Sequence, residues 1–150
     1  MKHFRQGFSL IEVLLFITIL RLIFIAAAGV GIVSIRNSQN SLNKIRATHY
    51  AEEAINWLSS QKNADWLIFI ANASPPPGAV YCFNIEPVSA WPSGAGNCVS
   101  NQLIDSLFTR EVILTYDSVL DSVDVDIQVT WSEGGNNYSV PISSTLRSFE

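Results

Sequence analysis

A chain of 150 residues accommodates one domain plus an appendage, and its formal net charge of −4 gives no argument for a nucleic-acid partner. The basic residues are scattered, with no stripe of the kind that tracks a phosphate backbone. His3 and His49 lack any Cys, Asp or His at a metal-ligand spacing, so no metal or other cofactor is expected.

The chain opens with a basic leader, Lys2, His3 and Arg5, and then turns apolar over residues 8–35. As a helix those residues would span about 42 Å, against about 30 Å of hydrocarbon. A cleaved secretory signal fits poorly. Ala26-Ala27-Ala28 resembles a cleavage site, but Arg21 would lie inside the apolar region, and the apolar pattern continues through Val30, Ile32, Val33 and Ile35. A membrane helix fits better: its Leu, Ile, Val and Phe residues contribute about −5 to −11 kcal/mol to insertion. Glu12 and Arg21 oppose this with up to about 5–7 kcal/mol. Intramembrane charges of this kind mark a function and a partner. They cannot pair with each other, because nine residues at 100° each place them on opposite faces, about 13.5 Å apart along the axis. The basic leader orients the N-terminus toward the cytoplasm and the bulk of the chain outward.

A short basic leader ending in Gly7, followed by Phe8-Ser9-Leu10-Ile11-Glu12-Val13 and a long apolar helix, resembles the N-terminal signal of type IV pilins and of type II secretion pseudopilins. The resemblance implies that a prepilin peptidase cuts between Gly7 and Phe8 and methylates the new N-terminal Phe8. It also implies that Glu12 neutralises the N-terminal amine of a neighbouring subunit during filament assembly. A carboxylate in apolar surroundings needs such a partner, and the pairing would set register. Arg21 departs from the family pattern, in which this part of the helix is uncharged. One reading lets its long stem carry the guanidinium to water; the other pairs it with an acid on a neighbouring subunit, Glu12 included.

Residues 36–62 stay helix-compatible but polar, with Leu42, Ile45, Ala51, Ala54, Ile55 and Leu58 forming an amphipathic stripe suited to packing on a sheet. No proline precedes Pro75, so one helix is expected from about 8 to 62, with Gly29 and Gly31 as its weak points. Residues 63–78 read as linker and loop, punctuated by Ser74-Pro75-Pro76-Pro77-Gly78. Strands are expected at 79–86, 109–117 and 123–131, the last by strict alternation of Val123, Val125, Ile127, Val129 and Trp131 with polar residues. A turn at 133–137 leads to a strand at 138–146, in which Pro141 argues for an edge or a bulge.

Cys82 and Cys98 flank a loop rich in Pro, Gly, Ser and Asn. With this segment outside the cytoplasm the simple reading is a disulfide closing the loop, worth about 3 kcal/mol; the alternative is two unpaired small core residues. Trp91, inside the loop, is the expected exposed contact residue, whereas Trp57 and Trp131 fit core positions. No catalytic triad, phosphate loop or ligand cluster is evident. Asp117, Asp121, Asp124 and Asp126 lack EF-hand spacing and read as a solvated acidic face with a turn.

The expected fold is α+β: a long N-terminal helix packed on a C-terminal antiparallel sheet, also the pilin architecture. The expected organisation is a leader (1–7), a transmembrane and filament-core helix (8–35), an amphipathic head helix (36–62) and a β-rich extracytoplasmic head (63–150). The ending, an REVILTY strand followed by a DIQVTWSEGGNNYSVPISSTL hairpin, resembles the minor pilins or minor pseudopilins of the PilV and secretion I-type groups, and implies a non-enzymatic minor pilin that rests in the bacterial inner membrane before assembly. Its expected partners are other pilin subunits and the prepilin peptidase. A minor pseudopilin of type II secretion and a membrane-anchored extracytoplasmic binding protein are the alternatives.

Overall fold

The computed structural model describes residues 9–148, so Gly7 and Phe8 lie outside the described residues. The chain runs α1 (Leu10–Ala64), α2 (Trp66–Ala71), β1 (Ala79–Cys82), β2 (Phe108–Asp117), β3 (Ser122–Glu133) and β4 (Asn136–Arg147). This is the expected α+β arrangement. The described chain forms two compact units, one ending at Ser41 and the other beginning at Leu42.

In the first unit α1 is unbroken through Gly29 and Gly31, so the expected weak points do not interrupt it. Its start is fixed by the Ser9 carbonyl, which accepts from the Glu12 and Val13 amides at 3.0 and 3.2 Å. Glu12 in the first turn complements the positive end of the helix dipole.

In the second unit the remainder of α1 lies against an antiparallel meander of order β1-β2-β3-β4. Alternation builds the sheet face under the helix from Phe108, Val112 and Leu114 of β2 and from Val123, Val125, Ile127, Val129 and Trp131 of β3. From α1 come Ala47, Tyr50, Ala51, Ala54 and Leu58, at helical spacing. The three alanines allow a close approach of helix to sheet. Leu42 and Ile45, counted in the expected stripe, remain 55% exposed, because the buried face is centred on those alanines instead.

The hairpin between β3 and β4 closes on Gly134 and Gly135, with φ of +59° and +81°. Positive φ at both positions is what a two-residue hairpin turn demands. Pro141 sits opposite Gln128 in β4, which is the edge strand. Gly78, at φ +95°, leads into β1 where an added Cβ would lie 2.8 Å from Ile113 Cγ2. The segment expected to be all linker contains α2. Asp65 caps it by accepting from the Ile68 amide at 3.0 Å, and Phe69 anchors it in the core. The first strand ends at Cys82, earlier than expected, although the Phe83 amide still reaches the Arg110 carbonyl at 2.9 Å.

One charged residue occupies the sheet face among these hydrophobics. Arg110, between Phe108 and Val112, is fully buried. Its guanidinium donates to the carbonyls of Phe83 (3.0 Å), Tyr50 (2.7 Å) and Ile85 (2.8 Å), and to Glu53 Oε2 (2.8 Å). Glu53 Oε1 accepts in turn from the Val88 amide at 2.8 Å. The network ties α1, β2 and the segment after β1 at one point. Removing one partner of a buried charge pair costs roughly 3–5 kcal/mol. Urea unfolding of the detergent-solubilised chain should therefore show Arg110→Ala less stable by about that amount, with Arg110→Lys intermediate because it keeps the charge but loses the fork.

Candidate assembly surface

From Leu10 to Gly31 every residue of α1 is exposed, and the side chains on all faces are apolar except at three positions. Leu10 is 81% exposed and Val30 is 72% exposed. A helix that is apolar all round and uncovered belongs in lipid or among other helices. This one is long and apolar enough to cross a membrane once.

The three polar positions in this stretch differ in how they are satisfied. Thr18 donates its hydroxyl to the Leu15 carbonyl at 2.8 Å, within its own helix. Glu12 and Arg21 are exposed, and among the described residues neither side chain has a hydrogen bond or an ion pair. Both stand on the same uninterrupted helix, nine residues apart, and so on opposite faces. The two charges predicted as assembly residues are therefore presented outward in opposite directions.

Cys82 and Cys98 form a disulfide with a Cα–Cα distance of 4.9 Å. Around it the Cys98 amide donates to Glu111 Oε1 at 2.8 Å, and the Gly96 amide donates to the Val80 carbonyl at 2.7 Å. Trp91 corrects the expectation of an exposed contact residue. It is half-buried and packs on Trp57, Tyr81, Phe83 and Phe69, with ring centroids 5.2, 5.8, 6.1 and 6.2 Å away. The loop folds back onto the head, and Trp91 plugs it there.

The acidic residues bind the head's own groups. Asp124 and Asp126 on exposed positions of β3 accept from Thr145 (2.7 Å) and Ser143 (2.6 Å) on β4. Asp117 Oδ1 accepts from the Val119 and Leu120 amides in the β2–β3 turn. The Asp121 hydrogen bond from Tyr116 raises that phenol above its ordinary range. Among the described residues no group of three or more His, Cys, Asp or Glu could hold a metal ion.

The disulfide closes a loop of sequence separation 16. Replacing both cysteines by alanine should lower stability by about 3 kcal/mol in the same urea experiment, with the loop region losing amide protection first. Compared with family models, with curated proteins and with solved structures, the chain finds no match.

Proposed function

We propose that the chain is a structural subunit of a type IV pilus-like filament, cut after Gly7, methylated at Phe8 and assembled through its N-terminal helix. The observation that carries this reading is Glu12. It is an acid in the first turn of α1, whose apolar part from Leu10 to Gly31 is exposed, with no partner among the described residues, and it is preceded by the Gly7-Phe8-Ser9-Leu10-Ile11 signal. The α-amine of a neighbouring subunit's Phe8 supplies the compensating charge, and the uniform apolar surface supplies helix-on-helix contact within the filament. Placement of the head outside the inner membrane agrees with its disulfide, since such bonds persist in oxidising compartments.

Mass spectrometry of the N-terminal peptide, from cells with and without a prepilin peptidase, tests the reading. A chain beginning at methylated Phe8, only with the peptidase, is expected. A Met1 start in both cells would leave a plain membrane anchor. Glu12→Ala then separates a filament subunit from a processed anchor. Losing one partner of a buried charge pair should reduce incorporation into filaments by on the order of a hundredfold or more, whereas an anchor tolerates the change.

A further inference from the structure

Arg21 lies near the middle of the apolar stretch. In the sequence it is thirteen residues after Phe8 and fourteen before Ile35. With Arg21 at the centre of about 30 Å of hydrocarbon, water lies about 15 Å away on either side, farther than a three-methylene stem extends. No partner for it exists among the described residues, and Thr18, the nearest polar side chain, is already satisfied within the helix. Centred in this way, Arg21 needs a partner other than the described residues of its own copy.

The helix itself displays the complementary group. Glu12 is likewise exposed and has no partner among the described residues; it lies nine residues earlier and on the opposite face. We propose that Arg21 pairs with Glu12 of a second copy of this chain, running parallel and displaced along the helix axis by about 13.5 Å. This rests on the filament reading above and specifies the neighbour that reading leaves open. Copies at equal depth leave both charges unpaired, so the pair favours displacement of one copy relative to the next. Opposite faces make the contact heterologous: each copy offers Glu12 to one neighbour and Arg21 to another. A contact of that kind, repeated with an axial step, builds an open chain rather than a closed ring.

Glu12 has room for both of its duties. A carboxylate offers two oxygens and about four lone-pair sites. A neighbour presenting its Phe8 amine to Glu12 is displaced toward the head end, because Phe8 precedes Glu12 by four residues. The neighbour presenting Arg21 is displaced in the other direction. One acid thus ties its subunit to copies on both sides along the axis.

Cysteine cross-linking measures this stagger with both charges left in place. Phe16 follows Glu12 by four residues and Ile25 follows Arg21 by four, so each lies on the face of its charge. Two differently tagged full-length copies, one Phe16→Cys and the other Ile25→Cys, are co-expressed with the peptidase and oxidised. The mixed 16–25 link should dominate over 16–16 and 25–25 links, should be lost in an Arg21→Leu background, and should persist with Arg21→Lys. Dominant same-position links would mean in-register packing and would overturn the proposal. So would a mixed link that survives Arg21→Leu, or no mixed link between matured chains that co-purify. In each of those cases a methylated Phe8 terminus still upholds the filament reading, which fails separately if both copies retain Met1.

Discussion

The head depends on one buried guanidinium. Arg110 stands in a row of hydrophobic side chains on β2, and its donors are spent on the Tyr50 carbonyl, on Glu53 and on the Phe83 and Ile85 carbonyls. Burial of apolar surface would hold α1 to the sheet without it, but burial is non-directional and does not choose one helix rotation over another. Hydrogen bonds to a planar fork do choose. Once Tyr50 and Glu53 are set, Ala47, Ala51 and Ala54 must face the sheet, and the segment beyond β1 has its carbonyls committed as well.

The two units satisfy polar groups in opposite ways. In the head nearly every charged group near the core has a partner inside the same chain, and even the exposed aspartates of β3 are matched by hydroxyls on β4. In the N-terminal unit the backbone is satisfied by the helix alone, and Glu12 and Arg21 are left facing outward. Among the described residues, Glu12, Arg21 and Arg36 of the N-terminal unit have no partner, whereas the head pairs its buried charge internally.

Much of this was legible in the residues, and what was not has physical reasons. Strict alternation marked β3, and Gly134-Gly135 marked the hairpin because only such residues accept both φ values readily. The uninterrupted apolar run marked α1, and Glu12 and Arg21 stood out as charges within it. The helix α2 was hidden because six residues are too short to show a helical period, leaving only the Asp65 cap as a signal. Trp91 sits in an irregular loop, where no periodicity tells an inward ring from an outward one. Arg110 was within reach: the alternation that places Phe108, Val112 and Leu114 inward places it inward too. A charge at a core position of a strand is a signal for a buried network, provided a partner such as Glu53 is sought on the facing helix.

The sheet's two borders have a bearing on how such heads coexist at close quarters. An open border is a template for another strand, and crowding chains side by side multiplies the opportunities. Here β1 has four residues, its Val80 carbonyl is engaged by the Gly96 amide, and Cys82 is bonded to the same loop. At the far border Pro141 interrupts the row of donors midway along β4. Neither border offers a long regular ladder to a neighbour. Copies of this head brought to high local density therefore lack a long regular border through which to fuse their sheets.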